Sequence, residues 1–299
     1  MAEGPHSGRP SPFGLLLIVV LALGWGLNWQ AMKVALLEIP LWQFRALTAF
    51  AAGAIMLALA ALTRQELAVP RVQWKRLVLA SFLNVTCWFS LVAIGVRLMS
   101  SGHAALISFT APLWIEVIGV ALLGERLTRS RVLAVALGVG GIVVLLSRDF
   151  AAIVASPGGT LAILGASMTW AAGILVQKRT RWAVPSVPLA GWQLILGGAP
   201  IGLVALATER FQFFDASATA LWATAWLVLV SLVLCYYAWF KIVILLPANV
   251  AALSSLLVPV VGVLGGVVLL GEPLGWRETA AMAMIVGAIA LVLFRPQPG

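Results

Sequence analysis

The sequence predicts an all-α integral membrane protein with ten transmembrane helices, arranged as two inverted five-helix repeats around a central cavity. The first observation behind this is composition: 62% of the 299 residues are hydrophobic and 10% are charged, whereas soluble domains carry about 25% charged residues. The second is a series of apolar runs, each with the roughly 20 residues that a helix needs to cross a bilayer. The third is a set of motifs that occur once in each half of the chain.

The apolar runs place the helices. They are continuous and lack the two-residue alternation of membrane barrel strands, so helices are the spanning structure that they fit. The predicted helices are Phe13–Met32, Leu41–Leu62, Trp74–Ile94, Gly102–Leu123, Ser130–Ser147, Thr160–Gln177, Val187–Ala207, Leu221–Ile244, Asn249–Leu270 and Trp276–Phe294.

Lysine and arginine in the short connecting loops predict the orientation. With a cytoplasmic N-terminus, thirteen of the 19 basic residues lie on the cytoplasmic side, five lie on the opposite side, and Arg45 lies within the second helix. An excess of basic residues marks cytoplasmic loops. We therefore expect a multi-pass protein of the plasma or inner membrane with both termini in the cytoplasm. We therefore expect the basic residues that give the net charge of +9 to contact membrane lipid. We expect no binding of nucleic acid.

The two halves repeat one another at a spacing of 145 to 147 residues. The matched pairs are Trp25 with Trp170, Pro40 with Pro185, Pro112 with Pro259, and Glu125 with Glu272. Each half holds five crossings, and this odd number makes the second half enter the membrane from the opposite side. Inverted repeats are the usual construction of secondary transporters. The predicted organisation is a cytoplasmic tail (1–12), a first repeat (13–147), a linker (148–159), a second repeat (160–294) and a cytoplasmic tail (295–299).

Several short motifs carry a family resemblance over nearly the whole chain. They are LGWGLNW (Leu23–Trp29), WQFRAL (Trp42–Leu47), APLW (Ala111–Trp114), LLGERLT (Leu122–Thr128) and LLGEPL (Leu269–Leu274). With the two five-helix halves, they make the chain similar to the drug/metabolite transporter superfamily, and within it to the EamA-type exporters. The resemblance implies export of small metabolites by alternating access, and some members export aromatic amino acids.

Polar and aromatic side chains inside the helices are the candidate substrate-binding residues. A polar group in hydrocarbon is costly unless it is hydrogen-bonded or faces a wet cavity. The candidates are Trp25, Asn28, Trp29, Asn84, Trp88, Trp170, Tyr236 and Ser254. The alternative for each is plain helix packing or a hydrogen bond within the bundle. Trp25 and Trp170 stand out because the repeat relates them, so that a pseudo-two-fold axis would direct both toward one cavity.

Four residues are candidates for coupling or gating, and Arg45 is left open. Glu116 lies deep in the fourth helix, where a charge is expensive; it could carry a coupling proton, or it could pair with a base. His103 begins the same helix, and Pro112 and Pro259 each bend their helix and could act as hinges. Arg45, one turn inside the second helix, could extend to the interface or bind a substrate carboxylate with two parallel hydrogen bonds.

The predicted function is a secondary transporter that exports small metabolites, aromatic or other amino acids, by alternating access. Two alternatives stay open: an uncoupled facilitator or channel-like pore, and a membrane-embedded enzyme or lipid flippase. The sequence holds no GxxxxGK(S/T) phosphate loop and no HExxH motif. We therefore expect no enzyme activity, no cofactor and no metal. The expected partners are a small-molecule substrate and lipid, and a monomer is compatible with the sequence.

Overall fold

The structure is a computed structural model that describes residues 12–123, 129–147, 157–245 and 248–293. Within these ranges all regular secondary structure is helical. The α-helices are α1 (Pro12–Gly26), α2 (Asn28–Glu38), α3 (Leu41–Leu62), α4 (Trp74–Ser81), α5 (Trp88–Leu98), α6 (Ser101–Ser108), α7 (Ala111–Leu123), α8 (Arg129–Leu146), α9 (Gly158–Lys178), α10 (Ser186–Thr208), α11 (Ala218–Ala225), α12 (Cys235–Leu245), α13 (Ala248–Leu270) and α14 (Trp276–Leu293). Nearly all of the predicted tails and linker lie outside the described residues.

Six helical stretches of the described residues are long and apolar enough to cross a membrane. They are Pro12–Glu38, Leu41–Leu62, Arg71–Leu98, Gly158–Lys178, Ser186–Thr208 and Ala218–Trp239. The outside of the bundle is apolar as well, since Phe13, Leu16, Leu203, Leu206 and Val268 all have at least half of their surface exposed. Such a surface requires lipid around it. The chain is a multi-pass membrane protein, and the count of ten crossings stays a prediction.

The first membrane helix is longer than its sequence predicts. The apolar run ends at Met32, but after an interruption at Leu27 the helix continues as α2 to Glu38. Lys33 does not end the helix because its ammonium group is satisfied inside the protein. It donates to the carbonyl oxygens of Val96 and Met99 at 2.7 and 2.6 Å, where α5 ends and helical carbonyls lack helical partners.

Two of the membrane helices widen into π-helical turns at positions that the repeat relates. Phe82–Cys87 links α4 to α5, and Trp226–Leu234 links α11 to α12. π-Helical turns are rare and occur frequently at functional sites. Asn84 lies in the first segment and Ser231, which the 147-residue spacing places over it, lies in the second. The two halves therefore depart from α-helical geometry at equivalent positions of two helices that the repeat relates.

The packing of the helices follows the repeat. Helix α3 packs on α10, α8 packs on α14, and α6 packs on α13, so each of these pairs joins a helix to its own counterpart in the other half. Helix α5 packs on α9 in the same way that α12 packs on α1. The core of the molecule is therefore built by contacts between the halves.

The two prolines of the repeat differ in local geometry. Helix α6 ends at Ser108 and α7 begins at Ala111, so Pro112 occupies the first turn of α7, where proline is well tolerated. Pro259 lies inside α13, which continues from Ala248 to Leu270. Their role as a matched pair of hinges stays a prediction.

Carboxylates of one half cap helices of the other half at the face predicted to be extracytoplasmic. Glu38 accepts hydrogen bonds from the N–H and the hydroxyl of Ser217 at 2.6 and 2.7 Å, where α11 begins. Glu272 accepts from the N–H and hydroxyl of Ser101 at 2.6 and 2.8 Å and from the N–H of Gly102 at 2.9 Å, where α6 begins. An acceptor there meets N–H groups that have no partner within the helix, and a negative charge is favourable at that end.

A third carboxylate does the same for α3. The preceding residue is proline, and no side chain of its own caps this helix. Glu209 supplies the cap by accepting from the N–H groups of Trp42 and Gln43 at 3.0 and 2.9 Å. We call Glu38, Glu209 and Glu272 the outer clasps, since each connects the two halves at this face.

The opposite face has a neutral connection between the halves. Gln73 donates through Nε2 to the carbonyl oxygen of Arg181 at 2.9 Å and accepts from the N–H of Ala183 at 3.2 Å. A neutral amide makes weaker hydrogen bonds than a carboxylate. Among the described residues, the charged connections are thus concentrated at the face of the outer clasps.

Candidate functional site

Asn84 is a buried amide without a hydrogen-bond partner. It lies near the middle of the Arg71–Leu98 span and is 2% exposed. Among the described residues, neither its Oδ1 nor its Nδ2 finds a partner. The amide lies against Gly173 of α9, where the Cβ of any other residue would overlap it. Each unmet buried polar group costs about 1–3 kcal/mol, and such an exception inside a membrane span indicates a group that a ligand or water satisfies.

A pair of tryptophans lies one helical turn from this amide. Trp88 lies four residues after Asn84 and begins α5. Its ring centroid is 5.0 Å from that of Trp170 on α9, and the two ring planes are inclined by 44°. Trp170 is in turn one helical turn before Gly173. The contact between α9 and the third membrane helix therefore places an aromatic surface next to an unmet amide, a combination that suits a ligand with an apolar ring and polar groups.

Arg45 of α3 contacts the residue that follows Trp88. Its Nε donates to the carbonyl oxygen of Phe89 at 2.8 Å, and its guanidinium carbon lies 4.6 Å from the centre of the Phe89 ring and 5.6 Å from that of Phe44. The residue is 3% exposed, which rules out extension to the interface. No acidic side chain of the described part of the chain lies within ion-pair distance of it.

The equivalent place in the other half has its polar groups satisfied. The hydroxyl of Ser231 donates to the carbonyl oxygen of Gly24 at 2.8 Å, and the carbonyl oxygen of Ser231 accepts from the indole N–H of Trp25 at 2.9 Å. Trp25 and Trp170 are related by the repeat, yet the indole N–H of Trp25 is hydrogen-bonded to the neighbouring helix and the ring of Trp170 contacts that of Trp88 at a tilt. The candidate site is therefore asymmetric and lies on the side of Asn84.

The remaining predicted substrate residues lie elsewhere. Trp25 packs on Tyr236, with ring centroids 6.0 Å apart, in a separate aromatic group between α1 and α12. Trp29 is 4% exposed within the main hydrophobic core, and Asn28 is half-buried at the start of α2. The side chain of Ser254 lies outside the described residues. The structure thus brings together three of the eight predicted residues, namely the amide of Asn84 and the Trp88–Trp170 pair described above.

The predicted coupling residues are dispersed. His103 Nε2 lies 3.5 Å from Glu278 Oε1, and Glu278 also accepts from the N–H of Gly275 at 2.7 Å. This pair is at the start of α6 and α14, close to the outer clasps. The side chain of Glu116 lies outside the described residues, so its coupling role remains a prediction.

Sequence reasoning missed two residues of the site. Gly173 is one of 28 glycines in the chain, and only the packing of α9 on the third membrane helix shows why it lacks a side chain. Phe89 is one of many apolar residues in its helix, and it contributes a carbonyl oxygen that no side-chain pattern reveals. For Arg45 the signal was present, because a charge inside an apolar run is rare.

Two copies of the domain described as the EamA-like transporter family match the chain, at residues 12–147 and 157–294. The transporter YvbV of Bacillus subtilis is 27% identical over 93% of this chain and 90% of its own length. A probable amino-acid metabolite efflux pump of Salmonella typhimurium is 26% identical over 96% of this chain and 95% of its own. A crystal structure with 22% sequence identity covers 93% of this chain and 96% of its own with a TM-score of 0.64, which shows a common fold. The chain belongs to the EamA-like transporter family.

Proposed function

We propose that this protein is a secondary transporter that exports small metabolites, aromatic or other amino acids, by alternating access. Ten crossings in two inverted halves would enclose the substrate near the middle of the membrane, with both termini in the cytoplasm. Family membership and the relatives named as amino-acid metabolite efflux pumps support small-metabolite export.

The unmet amide of Asn84 is the observation that carries the proposal. Its nitrogen donates and its oxygen accepts, so one ligand with both kinds of polar group satisfies both atoms. The adjoining Trp88–Trp170 pair offers ring faces and edges to an aromatic side chain, and such contacts contribute about 0.5–1.5 kcal/mol beyond the area that they bury. An aromatic amino acid has both features.

Counterflow of radiolabelled tryptophan in proteoliposomes tests the site. We expect Trp170→Ala to reduce the initial rate roughly tenfold, because it removes one wall of the aromatic surface. Trp222→Ala is the matched control, since Trp222 is 75% exposed on the outside of the bundle; it should transport like the wild type. Equal rates in the two variants would contradict the site, and no uptake of any aromatic amino acid by the wild type would remove that substrate class.

Proton coupling separates an exporter driven by a gradient from an uncoupled facilitator. Glu116 is the proposed coupling acid, and His103, Pro112 and Pro259 are proposed to act in gating. In the same assay an imposed pH gradient should accelerate the wild type and leave Glu116→Gln unresponsive. A flux that does not depend on the pH gradient in either the wild type or Glu116→Gln would favour an uncoupled facilitator or channel-like pore.

A lateral groove bears on the flippase alternative. It opens between α3 and α11 and is lined by Leu47, Ala51, Phe213, Leu221, Thr224, Ala225, Val228 and Leu229. The hydroxyl of Thr224 is already donated to the carbonyl oxygen of Ala220 at 2.8 Å. A lipid head group crossing here would meet no free polar group in this lining and would pay for its desolvation. The groove therefore favours a transporter of small metabolites over a flippase.

A further inference from the structure

The charge of Arg45 has no counterpart in the described part of the protein. The buried charged residues there are Arg45 and Glu278, and Glu278 is engaged with His103 and with the start of α14. The carbonyl oxygen of Phe89 and the ring contacts of Phe44 and Phe89 offset part of the desolvation cost of the guanidinium. They leave its net charge uncompensated, and an unpaired buried charge is unfavourable until an anion joins it.

The position of Arg45 relates this charge to the candidate site. The carbonyl oxygen that receives its Nε–H belongs to Phe89, the residue directly after Trp88. Fixing Nε in this way orients the plane of the guanidinium, and no hydrogen bond of its two terminal nitrogens occurs among the described residues. Trp88 packs between the two largest hydrophobic clusters, and so does Trp42, which is three residues before Arg45 on the same face of α3. Arg45 is therefore bound to the main chain directly after Trp88, and its terminal donors lie beside the helix that carries one tryptophan of the pair.

We propose that Arg45 binds the carboxylate of the transported substrate and makes the protein selective for carboxylic acids and zwitterions over amines of the same shape. This inference rests on the proposed function and names the substrate class of that site. Two terminal nitrogens in a fixed plane match the two oxygens of a carboxylate, and charge-assisted pairs of this geometry are strong and specific. An amine lacks an acceptor for these donors, and its positive charge is repelled by the guanidinium.

A purely structural role for Arg45 predicts something else. If the side chain served only to tie α3 to the third membrane helix, its loss would lower stability and affect all ligands alike. The two roles therefore differ in the ratio of affinities for an acid and its amine, which a structural role does not change. Arg45→Lys helps to separate them, because lysine keeps the charge and loses the planar two-point contact.

The experiment is isothermal titration of the detergent-purified protein with matched probes. The acids are phenylalanine, 3-phenylpropionate and leucine, and the amines are phenethylamine and isoamylamine. We expect the wild type to bind the acids roughly 10- to 100-fold more tightly than the amines. Arg45→Gln should remove this preference and Arg45→Lys should reduce it. Arg97→Gln, a change at an exposed arginine near the end of α5, should keep it.

Each outcome decides the matter. A wild-type protein that binds the amines as tightly as the acids overturns the inference, whether or not Arg45→Gln folds. An Arg45→Gln variant that folds and keeps the wild-type preference also overturns it. Preference for leucine without binding of the aromatic acids supports Arg45 and contradicts the aromatic part of the proposed function. Absence of binding by every acid contradicts both.

Discussion

Polar side chains inside the bundle fall into two kinds. Gln30 and Lys33 join helices: Gln30 Nε2 donates to the carbonyl oxygen of Gly262 at 2.6 Å and to the hydroxyl of Ser101 at 3.2 Å, while its Oε1 has no partner among the described residues, and Lys33 caps the end of α5. Asn84 and Arg45 are more deeply buried than Lys33, and neither forms a hydrogen bond with another side chain of the described residues: both atoms of the Asn84 amide are unmet, and the charge of Arg45 has no acidic partner there. The first kind holds helices together, as expected where water is excluded. The second kind costs stability unless a further group satisfies it, which is the role proposed above for the substrate.

Asn84 should contribute to transport while lowering the stability of the protein. Leucine has a similar shape, and replacing an unsatisfied polar side chain by an apolar one of the same shape is neutral or stabilising. We expect Asn84→Leu to raise the free energy of unfolding by about 1–2 kcal/mol while transport falls at least tenfold. Denaturation in detergent and counterflow measure the two effects. Ser231→Ala, which removes a satisfied hydroxyl at the matching position, should lower stability instead; a loss of stability in Asn84→Leu would contradict the assignment.

At this scale the sequence predicts the polar residues better than their surroundings. An asparagine or arginine inside an apolar run is visible at once, because either is expensive there. Whether its partner is a helix or a ligand depends on what the neighbouring helix presents. Gly173 and the carbonyl oxygen of Phe89 decide this for Asn84 and Arg45, and both follow from packing.

Helix ends carry the connections between the halves. Helix α3 begins after a proline, so the N–H groups of its first turn have no local acceptor, and Glu209 supplies one from the other half. Helix α13 ends differently. Gly271 adopts a left-handed conformation with φ of 65°, which glycine does without strain, and the N–H of Glu272 turns back to the carbonyl oxygen of Gly266 at 3.1 Å. This turn directs the Glu272 carboxylate to the start of α6.

The cap on α3 can be tested by its removal. We expect Glu209→Ala to lower the free energy of unfolding by about 1–3 kcal/mol, because it leaves two N–H groups of the first turn without their acceptor. Glu66→Ala is the control, since Glu66 is exposed and makes no hydrogen bond within the described residues. Chemical denaturation monitored by tryptophan fluorescence measures the difference. Similar losses in the two variants would show that the cap contributes nothing specific.

Element boundaries illustrate what sequence patterns convey at this scale. The apolar runs locate the helices because hydrophobic length is dictated by the bilayer. They place the end of the first helix six residues too early. The charge of Lys33 predicts a loop, but its ammonium group is bound by two carbonyl oxygens inside the protein. The π-helical turns at Phe82–Cys87 and Trp226–Leu234 have no signature in composition, because a one-residue change in winding is decided by contacts with the facing helix.

At the scale of the whole molecule, three carboxylates of the described residues connect the two halves at one face. In alternating access the two faces open in turn, so contacts that join the halves at one face stabilise the conformation in which that face is closed. The outer clasps are of this type, and their hydrogen bonds are charge-assisted. In the proposed alternating-access cycle, the outer clasps would therefore stabilise the conformation that is closed at their face.

Weakening the outer clasps should shift this balance. We expect Glu38→Gln, Glu209→Gln and Glu272→Gln in combination to increase the population in which the outer face is open, because neutral acceptors bind helix ends less strongly. Double electron–electron resonance between spin labels at positions 37 and 276, both exposed, would show a longer distance than in the parent. Both proteins need Cys87 and Cys235 replaced. If the triple variant has the same distance distribution as the parent, the outer clasps do not hold the outer face closed.

The organisation in halves is the property that the sequence predicts best. Matched prolines, tryptophans and LLGE motifs at a constant spacing reveal the duplication, and the helix pairs α3–α10 and α6–α13 then follow from the symmetry. The asymmetry of the site does not follow from the symmetry: Asn84 and Ser231 differ in sequence, and only the packing shows that the hydroxyl is satisfied and the amide is not.

The cap that Glu209 provides to α3 has an evolutionary consequence. Its hydrogen bonds end on main-chain N–H groups, which every amino acid except proline possesses. This contact therefore places no demand on the side chain at position 42, whose tryptophan is held by its packing on the hydrophobic clusters, whereas position 209 must retain a carboxylate of the right length. Substitutions at position 42 would be limited by packing alone, and substitutions at position 209 by the cap.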